Sequence, residues 1–202
     1  RGAIVAIDPR NGEIRALVSK PDYDPNIFNG RLSQTEVDYL YNNKDFPLIN
    51  RAIQGLYPPG STFKMLIALA ALQEGVITQN STFYCSGSFH YGDRDVKCHA
   101  AHGNINVIGA IQNSCNSFFS QLGLKIGMDI FEKYGNMFGF GQFTNIDLPN
   151  EKAGLLPTKS WLYKNAGENV SFGGRLVNYG IGQGEILVTP LQMAVYTAAI
   201  AN

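Results

Sequence analysis

Hydrophobic residues recur along this chain with two different periods. Residues 2–8 are apolar up to Asp8 and predict a strand, and residues 13–19 alternate between apolar and polar positions as a returning strand. Asn11-Gly12 between these two runs predicts a β-hairpin. Later apolar runs have the spacing of helices. They predict a helix that begins at Ser61 and ends at Gly75, helices over residues 106–113, 117–126 and 130–138, and a last helix that begins at Thr189-Pro190. A hairpin followed by helices favours an α+β fold, with helices packed on an antiparallel sheet.

Two stretches of the chain lack such a period. Residues 20–60 contain several prolines and predict an irregular connection, while residues 77–103 are polar and rich in glycine, cysteine and histidine. Two strands do not make a stable sheet alone, so we expect partner strands beyond residue 202. The chain starts at Arg1 rather than at a methionine and ends inside a helical pattern. We therefore expect it to be part of a longer protein.

The composition restricts the function without defining it. The 202 residues suit one domain or one domain with a small insertion, and 45% of them are hydrophobic. Sixteen basic residues balance 16 acidic ones, so nothing in the charge indicates binding to nucleic acid. No apolar run approaches the roughly 18–20 residues of a membrane span, and no signal peptide precedes the domain.

A candidate catalytic pair lies at the start of the first predicted helix. Ser61 and Lys64 are three residues apart, and residues at this spacing share a helix face. The preceding residues 58–60 (Pro-Pro-Gly) give the helix a rigid entry, and eight apolar residues follow Lys64. Burial lowers the pKa of a lysine and favours the neutral amine that can take a proton from a serine hydroxyl. The alternative is a helix-capping serine followed by an ordinary helical lysine.

A second polar motif, Ser114-Cys115-Asn116, lies in the break between two predicted helices. A serine and an asparagine at this spacing supply a hydroxyl for proton relay and an amide that can hold a substrate carbonyl or amine. Helix capping by the same residues is the competing interpretation, because serine and asparagine are common at turns and caps.

The three cysteines lie between residues 85 and 115, with His99 and His102 among them. Three thiolates and an imidazole suit a tetrahedral Zn²⁺ site, and a metal could order this polar segment. The proposed ligands are Cys85, Cys98, His102 and Cys115. His99 is an alternative to His102, and Asp95 is an alternative to Cys98. A Cys85–Cys98 disulfide with a free, buried Cys115, or three simple core thiols, would also account for the cysteines.

Together these motifs resemble the penicillin-binding proteins, whose signature is Ser-x-x-Lys, then Ser-x-Asn, then Lys-(Ser/Thr)-Gly. Residues 1–9 are similar to the opening of the transpeptidase domain, and residues 47–53 and 57–64 are similar to the class B approach to the nucleophile. Residues 181–184 and 189–194 are similar to a class B segment that precedes the third motif. Within class B, the resemblance is to the elongation-specific type. The only near match to the third motif, Lys159-Ser160-Trp161, lacks the glycine, so we expect that motif beyond residue 202.

The resemblance implies a fold, a reaction and roles for the residues. The chain would carry the N-terminal two-thirds of a transpeptidase domain with the penicillin-binding-protein and serine β-lactamase fold. Ser61 would attack the penultimate D-Ala carbonyl of a peptidoglycan stem peptide, releasing D-Ala, and an amine of a neighbouring stem would resolve the acyl-enzyme. This is serine-type D-Ala-D-Ala transpeptidase or carboxypeptidase chemistry. Lys64 would be the base, Ser114 the relay near the leaving amine and Asn116 a contact to the substrate amide, and β-lactams would acylate Ser61.

The resemblance also bears on cofactors, partners and location. It favours a structural Zn²⁺ beside the active site, with Cys115 and His102 among its ligands, and implies no cofactor for the chemistry. The full-length protein would work with a lipid II polymerase and other elongation components. It would be anchored in the inner membrane of a bacterium, with this domain in the periplasm.

Three other functions compete with this interpretation. A serine β-lactamase or a β-lactam-binding sensor of the same fold would share the nucleophile, and a structural scaffold in a wall-synthesis complex would not need it. The long connection at residues 20–60 and the elongation-type motifs argue against a β-lactamase.

Overall fold

The predicted hairpin is present. The computed structural model describes residues 1–202, and β1 (Gly2–Ile7) pairs antiparallel with β2 (Ile14–Lys20). Asp8 follows β1 and is 8% exposed; its carboxylate accepts hydrogen bonds from the side chains of Arg10 and Arg15. This ion pairing fixes the turn that the Asn-Gly pattern predicts.

The hairpin belongs to the first of two structural units, which comprises residues 1–57, 142–154 and 188–202. Its last helix, α8, begins at Pro190, as predicted, and the side chains of Thr189 and Gln192 cap it reciprocally. α8 lies against β1, so a helix does pack on the antiparallel sheet. The core of this unit combines Ala52, Ile53 and Leu191 with partly buried residues of the hairpin.

The prediction that residues 20–60 are irregular throughout is wrong. Besides a 3-10 turn at Pro25–Asn29, this connection contains α1 (Gln34–Tyr41) and α2 (Arg51–Gln54). α1 begins with a capping box formed by Ser33 and Glu36. This local signal is easily missed because the apolar periodicity of the helix is weak.

The second unit comprises residues 58–141 and 155–187 and holds most of the helices. These are α3 (Lys64–Gln73), α4 (Val107–Gln112), α5 (Asn116–Met137), α6 (Lys159–Ala166) and α7 (Gly173–Tyr179). The helix predicted from Ser61 begins instead with a 3-10 turn at Gly60–Phe63. The helices predicted over residues 117–126 and 130–138 form one element that kinks at Gly127. α6 and α7 are short helices that the apolar pattern does not reveal.

The polar segment around residues 77–103 forms four short strands. β3 (Thr82–Cys85) pairs with β6 (Gly103–Asn106), and β4 (Ser88–Tyr91) pairs with β5 (Arg94–Lys97), both antiparallel. Each sheet has only two strands, so neither would be stable by itself. These sheets therefore need contacts with neighbouring elements, and β3, β4 and β5 all contact α5.

Aromatic side chains dominate the core of the second unit. The fully buried rings are those of Phe63, Phe118, Phe119, Phe131, Phe140 and Tyr179. Phe63, directly before α3, packs on Phe140 with ring centroids 5.2 Å apart, so the start of α3 is anchored in this core. No helix of the chain combines the length and the apolar character that crossing a membrane requires.

The contact between α5 and α7 depends on a missing side chain at Gly123. A Cβ there would overlap the carbonyl oxygen of Leu176 and press on Gly180. We predict that Gly123→Ala lowers the free energy of unfolding by about 1–3 kcal/mol, despite the better helix propensity of alanine.

The matched control for this prediction is Gly174→Ala on α7, where a Cβ would meet no atom within 4 Å. That variant should gain roughly 0.5–1 kcal/mol from helix propensity alone. Urea unfolding of both variants measures the difference, and a Gly123→Ala protein as stable as the control would contradict the packing argument.

Candidate active site

Ser61 lies in the 3-10 turn that precedes α3. Backbone Gly60 donates to the carbonyl oxygen of Gly182 at 2.8 Å, and a Cβ at Gly182 would overlap the Gly60 carbonyl. Both glycines have positive φ, 59° and 69°, which other residues rarely adopt. The segment around Gly182 therefore packs closely against the turn that contains Ser61. The Ser61 hydroxyl oxygen accepts a hydrogen bond from Ser114 Oγ at 2.9 Å.

Lys64 is the first residue of α3 and is 2% exposed. Its Nζ donates to three acceptors of the second motif: Ser114 O at 2.8 Å, Ser114 Oγ at 3.0 Å and Asn116 Oδ1 at 2.7 Å. Burial lowers the pKa of Lys64, and electrostatic interactions with the neighbouring cysteines of the cluster oppose that shift. The hydrogen bonds thus connect Lys64 to Ser61 through the Ser114 hydroxyl.

Ser114 occupies the turn between α4 and α5 with a φ of 48°, in the left-handed region that non-glycine residues seldom enter. Two backbone hydrogen bonds hold it there: Ser114 N–H to Ile111 O at 3.1 Å, and Cys115 N–H to Ala110 O at 2.9 Å. Strained backbone of this kind persists only where the surroundings fix it, and it concentrates at functional sites. Here the strain directs the Ser114 hydroxyl between Ser61 and Lys64.

Asn116 uses both ends of its side-chain amide within the protein. Oδ1 accepts from Lys64, and Nδ2 donates to the carbonyl oxygen of Lys97 at the end of β5 at 2.9 Å. The residue therefore ties the buried amine to the β4–β5 hairpin. All four residues that the sequence marks as catalytic (Ser61, Lys64, Ser114 and Asn116) lie in one hydrogen-bonded network.

The cysteine and histidine residues predicted as metal ligands also converge. The candidate ligand atoms of Cys85, Cys98, His102 and Cys115 all lie within 4.8 Å of one another. His102 Nδ1 is 3.4 Å from Cys85 Sγ and 3.7 Å from Cys98 Sγ, and Cys98 Sγ is 3.6 Å from Cys115 Sγ.

These separations fit a tetrahedral metal. With Zn–S bonds of about 2.3 Å, two sulfurs on one Zn²⁺ lie about 3.8 Å apart, and a sulfur and an imidazole nitrogen roughly 3.5 Å apart. The three cysteines are free thiols, so the Cys85–Cys98 disulfide is not the arrangement in this structure. His99 is exposed and Asp95 pairs with His90, so neither alternative ligand belongs to the cluster.

Two thiols of the cluster are strongly perturbed in opposite directions. Burial alone would raise the pKa of Cys85, but hydrogen bonds from neighbouring groups, the backbone and His102 among them, outweigh it and lower that pKa to about 6. Burial raises the pKa of Cys115 to about 12, although the Phe118 N–H works against the shift. A metal ion that binds both sulfurs would displace the remaining protons.

Lys159-Ser160-Trp161, the near match to the third motif, belongs neither to the hydrogen-bonded network of Ser61 nor to the cysteine and histidine cluster. Lys159 begins α6, and its Nζ pairs with Asp129 at 2.5 Å. The sequence also gave no sign of two supporting contacts, the Gly60–Gly182 pair and the Lys97 carbonyl that receives Asn116. A glycine-rich run marks Gly182 as special, but its partner lies far away in sequence.

A serine hydroxyl, a second hydroxyl bonded to it and a buried amine on this α+β fold match the arrangement that the Ser-x-x-Lys and Ser-x-Asn motifs of penicillin-recognising enzymes specify. The family model described as "Penicillin binding protein transpeptidase domain" matches residues 2–202, and the chain belongs to this family.

Individual relatives agree with this assignment. The chain is 42% identical to Peptidoglycan D,D-transpeptidase MrdA of Acinetobacter baumannii, covering 100% of this chain and 30% of the relative. It superimposes with a TM-score of 0.94 on Pseudomonas aeruginosa PBP2 in complex with WCK 5153 (39% identity, 100% of this chain, 45% of the other). Helicobacter pylori PBP2 in complex with MreC gives the same TM-score (37% identity, 100% and 38%). The chain thus spans less than half the length of each, and its resemblance to class B proteins of the elongation type is confirmed.

Proposed function

We propose that this chain is the nucleophile-bearing part of a peptidoglycan D,D-transpeptidase that acts during cell elongation. The observation that carries the proposal is the continuous hydrogen-bonded path from Ser61 through Ser114 to Lys64. A serine needs such a base to attack a carbonyl near neutral pH. The 42% identity to a protein named as a D,D-transpeptidase supports the same reaction.

In the proposed reaction, Ser61 Oγ attacks the carbonyl carbon of the penultimate D-Ala of a stem peptide. The serine proton moves to Lys64, which burial favours as the neutral amine, along the path through Ser114. When the tetrahedral intermediate collapses, the peptide C–N bond breaks and the leaving D-Ala nitrogen receives a proton from the same path. An ester to Ser61 remains. The amine of a second stem peptide then attacks the ester, forms the cross-link and restores the serine.

Asn116 has two proposed roles in this scheme. Its Oδ1 holds the Lys64 amine next to Ser114, and its amide lies where a contact to the substrate amide could replace the bond to Lys97. The nearby 3-10 turn also presents backbone N–H groups at the start of α3, which suit an oxyanion.

We further propose that Cys85, Cys98, His102 and Cys115 hold a structural Zn²⁺. The spacing of the ligand atoms and the composition of three thiols and one imidazole support it. Its role would be to tie β3, β5 and β6 to the turn that contains Ser114. The chemistry itself then needs no cofactor.

The partners and the location follow from relatives rather than from contacts of this chain. The PBP2–MreC complex supports an elongation complex as the setting, and we propose that the whole protein works there with a lipid II polymerase. We propose that it is anchored in the inner membrane, with this transpeptidase domain in the periplasm and β-lactams as its inhibitors.

Covalent labelling tests the nucleophile. The full-length protein incubated with benzylpenicillin should gain one penicilloyl group by intact mass, and Ser61→Ala should gain none. Ser114→Ala should slow labelling by about 10²–10⁴-fold, because it breaks the proton path. Ser171→Ala removes an exposed hydroxyl outside the hydrogen-bonded network of Ser61, Lys64, Ser114 and Asn116, and this control should label at the normal rate.

The outcomes separate the competing functions. A Ser61→Ala protein that is folded and still labelled would overturn the assignment of the nucleophile. A wild-type adduct lost within seconds would indicate a β-lactamase, and a stable adduct without cross-linking of peptidoglycan would indicate a sensor. Growth supported by Ser61→Ala in place of the wild type would indicate a scaffold.

Metal analysis tests the zinc centre. The wild-type protein should carry one zinc per chain, lost on treatment with EDTA together with thermal stability. Cys98→Ser and His102→Ala should bind zinc at least tenfold more weakly because each removes a ligand. His99→Ala is the matched control and should keep the metal, since His99 lies outside the cluster. Wild-type protein that neither contains nor takes up zinc would exclude the centre.

A further inference from the structure

The sulfurs of Cys98 and Cys115 lie next to each other. Their Sγ atoms are 3.6 Å apart. Cys85 Sγ instead contacts His102 Nδ1 at 3.4 Å and the carbonyl oxygen of Ala100 at 3.7 Å. In a disulfide the two sulfurs are about 2.05 Å apart, so a bond between Cys98 and Cys115 requires them to approach by roughly 1.5 Å. A small local movement therefore brings this pair within bonding distance.

The two cysteines differ in their access to solvent. Cys115 is buried and caps the start of α5, whereas Cys98 is partly exposed. Cys98 also lies outside regular secondary structure, in the connection between β5 and β6. A small oxidant in solution therefore reaches Cys98 first, and Cys115 is the neighbouring thiol that can react with the oxidised sulfur.

We propose that Cys98 and Cys115 are a site of reversible oxidation: they form a disulfide in the metal-free protein, and a bound zinc ion prevents it. The protection rests on the zinc centre proposed above, but the inference does not depend on the transpeptidase reaction. A metal ion occupies the sulfur electron pairs that attack an oxidant, and it holds two ligand sulfurs about 3.8 Å apart.

Hydrogen peroxide is an oxidant for which the reaction balances. The Cys98 sulfur attacks one peroxide oxygen, the O–O bond breaks, and the thiol proton leaves with the departing hydroxide as water. The Cys115 sulfur then attacks the sulfur of the sulfenic acid on Cys98. The S–S bond forms, the S–O bond breaks, and the second thiol proton leaves with that hydroxide as a second water. Two electrons pass from the thiols to the peroxide, and an added thiol reverses the oxidation by exchange.

The disulfide acts on the residues that hold the buried amine of Lys64. Cys115 lies between Ser114 and Asn116 in the chain, and Cys98 Sγ accepts a hydrogen bond from the Asn116 N–H at 3.1 Å. Drawing the two sulfurs together displaces this turn, in which Ser114 already has a strained φ of 48°. Since a misplacement of about 1 Å can slow a reaction by roughly 10²-fold, oxidation should slow acylation of the nucleophile.

Mass spectrometry of the full-length protein tests the oxidation site. The protein is stripped of metal with EDTA, reduced, freed of reductant and exposed to hydrogen peroxide. Its remaining thiols are then alkylated before digestion. We expect a pair of peptides linked through Cys98 and Cys115, which separates on reduction. Zinc-loaded protein should form this link roughly tenfold more slowly or less, because its sulfurs are bound to the metal.

Cys85→Ser is the matched control, because it removes a proposed metal ligand and keeps both members of the pair. Its metal-free form should still form the link, whereas Cys98→Ser should leave Cys115 unlinked. Metal-free wild-type protein that keeps Cys98 and Cys115 as free thiols, or that links either of them to Cys85, would overturn the proposal. Equally fast oxidation of zinc-loaded and metal-free protein would overturn the protection by metal.

Benzylpenicillin labelling measures the effect on the site. The oxidised, metal-free protein should label roughly 10–100-fold more slowly than the reduced, metal-free protein and should recover when a thiol reductant is added. The labelling rate of Cys98→Ser should not respond to peroxide, because this variant cannot form the link. Equal labelling of the disulfide and reduced forms would overturn the effect of oxidation on the site. Absence of labelling at Ser61 in every form would overturn the proposed reaction, and the mass of the linked peptides would still decide the oxidation site.

Discussion

The site depends on the hydrogen bonds that the buried amine of Lys64 donates. An amine removed from water must find acceptors, and Ser114 and Asn116 supply the three acceptors of its hydrogen bonds. Lys64 itself is fixed by α3, which Phe63 anchors in the aromatic core. The strained φ of Ser114 meets this need for acceptors, because it brings both the carbonyl and the hydroxyl of Ser114 to the same amine. Two motifs 50 residues apart in sequence thus become one polar network.

The start of α5 belongs both to the hydrogen-bonded network of Ser61 and Lys64 and to the cluster of cysteine and histidine side chains. Asn116 bonds Lys64 with its side chain and Cys98 with its backbone N–H, while Cys115 caps the helix and belongs to the cluster. A helix start suits both tasks because its first N–H groups have no partner within the helix. The two-stranded sheets nearby have little core of their own, so a metal would add the order that their packing does not provide.

The sequence was sufficient for the parts of the molecule that local patterns determine. Asn11-Gly12 predicted the hairpin and Thr189-Pro190 predicted the start of α8. Residue spacing singled out the two polar motifs and the four cysteine and histidine side chains that the structure brings together. It failed for α6 and α7, whose short lengths leave too few turns for a periodic signal. It also failed for the 3-10 turn at Ser61, because that geometry depends on the distant contact between Gly60 and Gly182.

Ser117 shows why such failures concentrate around the site. In the sequence it is an ordinary small polar residue beside a helix cap, and burying its hydroxyl looks unfavourable. The fold nevertheless buries it to 1% exposure and gives its hydroxyl no hydrogen-bond partner. Tertiary packing at the start of α5, which no local pattern describes, therefore decides where this side chain lies. A buried polar atom without a partner is a useful guide to places where local rules do not determine the structure.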